Sequence, residues 1–242
     1  MMSKSTKADS RKGFVVTIDG PAASGKSTTA RRVAEELGWL YLDTGAMYRA
    51  MAVKALDEGI PLDDAVAIGN LADRTAVRLE KASRGMRVLL DEQDVSTRIR
   101  TPEVDRAVGP VCEVPRVREV MVALQRDASA QGNLITEGRD MGTVVFPGAD
   151  LKFYMVASLE ARAARRQRDM EKQGRDMTLA ALAEEIRIRD ERDSRRSASP
   201  LVPAPDAIAL DTTRMSIEEQ IRFILERIHA KMKGRNRHAN HD

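Results

Sequence analysis

Gly20, Pro21, Ala22, Ala23, Ser24, Gly25, Lys26 and Ser27 stand at the spacing G-x-x-x-x-G-K-[ST]. The chemistry of that pattern is phosphate binding. Glycines let a loop wrap an anion with its N–H groups turned inward, and a helix opening directly behind adds the partial positive charge of its N-terminus. Lys26 would reach the β- and γ-phosphates, and the Ser27 hydroxyl, followed by Thr28, would ligate Mg²⁺. The pattern predicts ATP or GTP binding and leaves the reaction open. Three absences narrow it. No aspartate has glycine three residues later; Asn70-Leu71-Ala72-Asp73 lacks the lysine of a guanine-reading N-K-x-D; and no run of four apolar residues ends in Asp-Glu. GTPase switches and hydrolytic motors are thereby disfavoured, and a small-molecule kinase with a basic lid remains.

Such a loop works only between a strand and a helix. Phe14–Ile18 is a short apolar, β-branched run that reads as a buried parallel strand. From Ser27 to Gly38, Ala30, Val33, Ala34 and Leu37 share one helical face, with Gly38 as the stop. Trp39–Leu42 reads as a second strand and Thr44–Leu56 as a second helix. This β-α-β-α alternation predicts an α/β fold with a parallel sheet. Val77–Leu90 reads as two strands around a glycine turn, an antiparallel insertion. Pro102 and Pro110 punctuate the stretch beyond it. Further elements are a helix over Val117–Ala130, strands at Leu134–Thr136, Leu151–Val156 and Ile208–Leu210, and an arginine-dense helical stretch over Glu160–Arg195 broken near Gly174. Ser216 and Glu219 make a capping box for the last helix.

Composition sets the outer bounds. Of 242 residues, 42% are hydrophobic, enough for a sizeable core, and 40 basic against 37 acidic residues leave a formal charge of +3. That balance rules out a polyanionic chain and disfavours a wholly disordered one, and nucleic-acid binding is only weakly indicated. Aromatics at 3% argue against a stacking platform for single strands. One cysteine, Cys112, allows no intrachain disulfide and fits a reducing compartment; it reads as a small buried apolar residue. The three histidines, His229, His238 and His241, fall in the last fourteen positions, which leaves none for a triad in the body of the fold. No membrane span and no secretory signal are expected, so the expected location is cytoplasmic.

The strings TIDGPAASGKST, LDTGAMYRA, VPRVRE, LQRD, EGRDMGTVVFP, IRIRDERDSRR and PLVPAPDAIALDTT, in order from about Val15 to Arg227, resemble the bacterial cytidylate kinases. EGRDMGTVVFP and RDERDSRR are the most specific of them. The resemblance implies a nucleoside monophosphate kinase of the P-loop NTPase type: three α/β/α layers around a parallel sheet, an antiparallel monophosphate-binding insertion at about 60–105 and a helical lid at about 158–200. These belong to one kinase domain over 13–230, between a disordered leader at 1–12 and a flexible tail at 231–242. It implies ATP with Mg²⁺ as phosphoryl donor, CMP and dCMP as acceptors, and a monomer without nucleic-acid or membrane partners. Lys26, Arg139, Arg189 and Arg192 are expected to stabilise the transferred phosphoryl group. Thr44, Tyr48, Arg49, Arg126, Arg139, Asp140, Arg189, Asp193 and Arg196 are expected at the acceptor site, with Arg49, Arg126 and Arg139 on its phosphate and Asp140 on the nucleoside. Asp193 either accepts from the cytosine amino group or holds a neighbouring arginine. Arg162, Arg165, Arg166 and Arg168 read mainly as a solvated face with acidic partners. Two positions depart from the family pattern: Glu137, where some relatives carry aspartate, and Gly109, where some carry a serine that touches the base. A UMP or AMP acceptor keeps the fold and changes the substrate; a nucleotide-gated nucleic-acid binder is the non-enzymatic alternative.

Overall fold

A computed structural model describes residues 13–81, 86–172, 174–196 and 199–239. Five strands, β1 (Val15–Asp19), β2 (Leu40–Asp43), β6 (Leu134–Gly138), β7 (Leu151–Val156) and β8 (Ile208–Asp211), form one sheet in the order β2-β6-β1-β7-β8. Every pairing in it is parallel. Alternation along β1 explains the layers. Val16 and Ile18 face one side, where α1 (Lys26–Leu37) and α8 (Ile217–Ala239) cover them with Ala30, Val33, Ile224 and Ile228. Val15 faces the other side, where α2 (Thr44–Asp57), α4 (Pro102–Glu113) and α5 (Pro115–Ala128) supply Met51, Val111, Val117 and Met121. The chain is the expected three-layer α/β unit, and each expected sheet strand appears within one or two residues of its predicted ends.

The insertion begins with α3 (Ala65–Asp73), whose Asp64 cap accepts from the Ala67 N–H at 2.9 Å. A small antiparallel sheet comes next: β3 (Val77–Lys81), β4 (Met86–Leu90) and β5 (Gln93–Asp94). Asp91 and Glu92 turn between its last two strands with φ of 45° and 67°, the twist a two-residue hairpin needs. The stretch expected as a lid forms two helices, α6 (Leu159–Glu171) and α7 (Leu179–Arg195), broken where Gly174 takes φ 70°.

Four elements differ from expectation. Helices α3 and α4 and strand β5 are additional, although α4 buries Val104, Ala107, Val108 and Val111 at helical spacing. Pro102 and Pro110 do not interrupt the chain: Pro102 occupies the first turn of α4, where no N–H is needed, and Pro110 costs one bond close to the helix end. Helix α8 continues to Ala239, past the expected boundary at 231. The expected leader at 1–12 lies outside the described residues. Among those described, no helix is long and apolar enough to cross a membrane.

Phe153 on β7 is 1% exposed and packs edge-on to Phe223 of α8, 6.4 Å between centroids. Phe153→Ala is expected to cost about 3–5 kcal/mol through the cavity it opens. Thermal unfolding should show a Tm lower by roughly 10 °C.

Candidate active site

The carboxyl ends of β1, β2 and β6 meet at one edge, where Asp19 pairs with Gly138 and Asp43 with Glu137. Parallel α/β sheets bind ligands at that edge. The loop from Gly20 to Gly25 crosses it. Gly20 has φ 150° and lies so close to β7 that any Cβ would collide with the Met155 carbonyl oxygen. Gly25 has φ 99°, and Ala23 takes a left-handed 57° between them. Thr28 starts the exposed face of α1 directly behind.

Lys26 is folded back on its own loop. Its Nζ donates to the Pro21 carbonyl at 2.7 Å and to Ser24 Oγ at 3.3 Å, and the residue is 5% exposed. Burial lowers its pKa from 10.5 to about 7; the Arg139 charge pushes the same way, Glu137 opposes, and Arg189 adds to the lowering. Ser27 Oγ donates to Glu137 Oε1 at 2.8 Å. Burial raises the Glu137 pKa, and the Asp43 carboxylate adds to it. A hydroxyl and a carboxylate side by side form a hard-oxygen pair. Among the described residues no three His, Cys, Asp or Glu side chains gather to hold a metal on their own. That donor set suits Mg²⁺, which keeps one or two protein oxygens and takes the rest from phosphates and water.

On the acceptor side, Arg118 of α5 and Asp140 form an ion pair 6% and 4% exposed, and the Arg118 guanidinium lies 5.6 Å from the centre of the Tyr48 ring. The Tyr48 hydroxyl is buried without a partner among the described residues, and its pKa is raised chiefly by burial. Arg49 donates to the Ile99 carbonyl at 3.0 Å and pairs with Asp105 at 2.5 Å. Asp193 holds Arg139 at 2.6 Å and Arg196 at 3.0 Å. Of its two expected roles, the one visible is that of arginine holder. Arg189 stands open to the cleft. Thr44 donates to the Glu137 carbonyl at 2.8 Å, which ties β6 to the start of α2. One face of the cleft thus brings together Lys26, Ser27, Tyr48, Arg49, Arg139, Asp140, Arg189, Asp193 and Arg196.

Two expected residues lie elsewhere. Arg126 spends its guanidinium on the backbone, donating to the Val145 carbonyl at 3.0 Å and the Val144 carbonyl at 2.9 Å. It braces a π-helical turn at Met141–Val145 and does not reach the cleft. Arg192, at 48% exposure, turns to Glu113 of α4 at 3.6 Å. The α5 arginine that stands beside Asp140 and Tyr48 is Arg118. It shares a buried stripe with Met121 and Gln125, so a charge on an apolar helical face was the available signal.

Three more residues have roles that the sequence does not reveal. Asp19 accepts from the Met141 and Gly142 N–H groups at 2.9 and 2.8 Å and so fixes the turn that carries Arg139 and Asp140. Burial lifts its pKa to about 6 against those two donors. Arg162 and Arg165 are not a solvated face. Arg162 donates to the Ala22 carbonyl at 3.3 Å and pairs with Asp190 at 2.5 Å; Arg165 donates to the Ser24 carbonyl at 3.2 Å and to Thr212 Oγ1 at 3.1 Å. Lid helix α6 thus grips the outer side of the phosphate loop. Arg166 reaches Asp105 at 3.4 Å, and Arg168, bonded to the Ala164 carbonyl, is exposed as expected.

A family model described as cytidylate kinase matches residues 16–230. The chain is 47% identical over 218 residues to a cytidylate kinase of Symbiobacterium thermophilum, covering 90% of this chain and 96% of that protein. It is 45% identical over 223 residues to one of Desulfitobacterium hafniense, covering 92% and 96%, and 48% identical over 210 residues to one of Desulforamulus reducens, covering 87% and 94%.

The lowered pKa of Lys26 has a signed consequence. Its charged form costs stability; the cost is absent above about pH 10.5, grows as pH falls to about 7, and is constant below. A bound triphosphate restores the charged form. Between about pH 7 and 10 nucleotide binding should therefore take up protons, up to one near pH 8.5. Calorimetry in buffers of different ionisation enthalpy measures the uptake, and Lys26→Met should abolish it.

Proposed function

This chain belongs to the cytidylate kinase family, and from that premise we propose how its residues share the work of phosphorylating CMP with ATP. The observation that carries the reading is the convergence of Lys26, Arg139 and Arg189 on one cleft, close enough for the two guanidinium charges to depress the lysine. Such a cluster favours an anion of high charge.

ATP lies on the Gly20–Thr28 loop with its phosphates against the N-terminus of α1. Ser27 and Glu137 would hold Mg²⁺, which would supply neutralisation of the charge on the phosphates. CMP, and dCMP by the same contacts, lies between α2, α4 and α5. Arg49 and Arg139 take its phosphate; Tyr48 and the Arg118–Asp140 pair meet the nucleoside. Asp193 holds Arg139 and Arg196 in the geometry the phosphate needs. An oxygen of the CMP phosphate attacks the γ-phosphorus, the bond to the β–γ bridging oxygen breaks, and ADP leaves with that electron pair. The attacking oxygen is already an anion, so no general base is required. Catalysis is alignment plus charge stabilisation by Lys26, Arg139 and Arg189.

An ADP-release assay with Mg·ATP and CMP, dCMP, UMP, AMP, GMP and dTMP tests the acceptor. CMP and dCMP should dominate; turnover confined to another acceptor would discard the base-side assignments. Lys26→Ala should lower kcat by about 10² or more, and survival within about tenfold would sink its role. Two arginines of α5 should separate cleanly. Arg118→Ala should raise KM for CMP by at least about tenfold, because it leaves Asp140 buried and unpaired. Arg126→Ala should lower Tm by a few degrees through its two stranded carbonyls and leave KM for CMP within about twofold.

A further inference from the structure

Helix α4 presents Asp105, Gly109 and Glu113 at steps of four, on one stripe. The lid meets that stripe at each level. Arg166 of α6 reaches Asp105 at 3.4 Å, and Arg192 of α7 reaches Glu113 at 3.6 Å. Between the two carboxylates, the Arg192 side chain fills the space a side chain at 109 would take. A Cβ on Gly109 would overlap the Arg192 Nη1 and come within 3.3 Å of its Cζ and 3.7 Å of its Cδ. Gly109 has no left-handed φ, so its backbone does not call for glycine. In mid-helix, glycine costs about 0.5–1 kcal/mol relative to alanine. The notch is thus a local cost that the contact with Arg192 explains.

We propose that Arg192 is a positioning residue, seated in the notch of Gly109 and held by Glu113, which latches the lid across the acceptor. The latch bears on the acceptor because its neighbours in α7 do: Asp193 follows Arg192 and holds Arg139, while Arg189 lies one turn earlier in the cleft. Asp105 serves both sides, pairing with Arg49 as well as Arg166, so the stripe joins an acceptor-phosphate residue to the lid. An arginine that crosses to α4 is not available to the transferred phosphoryl group. Arg192 therefore acts through α7 rather than on the reacting atoms. The inference rests on the acceptor site assigned above.

The test is a double-mutant cycle of Gly109→Ala and Arg192→Ala, read by CMP kinetics with Mg·ATP. Each single variant should raise KM for CMP by about five-fold, the scale of a half-exposed ion pair with its packing, and kcat should fall by less. The double variant should match Arg192→Ala alone, since a methyl at 109 matters only by unseating Arg192. Glu113→Gln should move KM in the same direction by about two-fold. Gly109→Ala should keep or raise Tm, and Arg192 is half exposed, so folding is preserved in both. Hydrogen exchange of the α7 amides with ATP bound reads the latch without any acceptor: faster exchange in both single variants, with no further gain in the double. Wild-type kinetics in Gly109→Ala, multiplied effects in the double variant, or unchanged α7 exchange would each overturn the latch. Absent CMP turnover in the wild-type enzyme would instead overturn the acceptor assignment, and the exchange experiment would still decide the latch.

Discussion

Like charge crowded at the edge of the parallel sheet is the constraint that organises this molecule. Lys26, Arg139 and Arg189 share one cleft, and burial first, with the Arg139 and Arg189 charges adding to it, lowers the affinity of the lysine for a proton. In bulk water such neighbours would separate. Here they are prevented from doing so, each by its own restraint: Lys26 by two contacts to its loop, Arg139 by Asp193, Arg189 by its place on α7. The fold holds charges where an anion will be needed, so little reorganisation is left for the moment of reaction.

The restraints themselves are held by a second set of interactions that touches no substrate. Asp19 ends β1 and fixes the turn after β6 through two N–H bonds. Arg162 and Arg165 hold the outer carbonyls of the phosphate loop, and Thr212, just past the end of β8, accepts from Arg165 and donates to the Ser24 carbonyl at 3.0 Å. The Ala22 and Ser24 carbonyls of the loop are thereby satisfied without drawing on its N–H groups. Loss of any of these contacts would blur the geometry of the loop without removing a binding group.

How much of this was legible in the sequence depends on the range of the interaction. The phosphate loop, its flanking strand and helix, and the β-hairpin insertion are local patterns, and they stand where periodicity and turn chemistry put them. Helix α4 was hidden because its prolines read as breaks, although one sits in the first turn and the other near the end. Arg126 and Arg118 lie eight residues apart on one helix; which of them enters the cleft depends on which side of α5 the π-helical turn packs, and that is a tertiary fact. The arginines of α6 looked like solvated charge because their partners are backbone carbonyls more than a hundred residues away, and a carbonyl leaves no trace in composition.

On the function proposed above, the same crowding would make the approach of α7 to the sheet edge depend on a bound anion. The lid carries Arg189, Asp193 and Arg196; the sheet edge carries Lys26 and Arg139. Drawing Arg189 toward Lys26 with no anion between them sets cation against cation, offset in part by Asp193, Glu137 and Asp19. A triphosphate and an acceptor phosphate reverse the sign of that encounter and bring several negative charges into a space already lined with donors. Closure is then favoured in proportion to the negative charge present, and it is weaker with ATP alone than with both nucleotides. An enzyme that must transfer a phosphoryl group to a nucleotide and not to water needs that ordering, because the closed, water-excluding state forms mainly when the correct acceptor completes the charge balance.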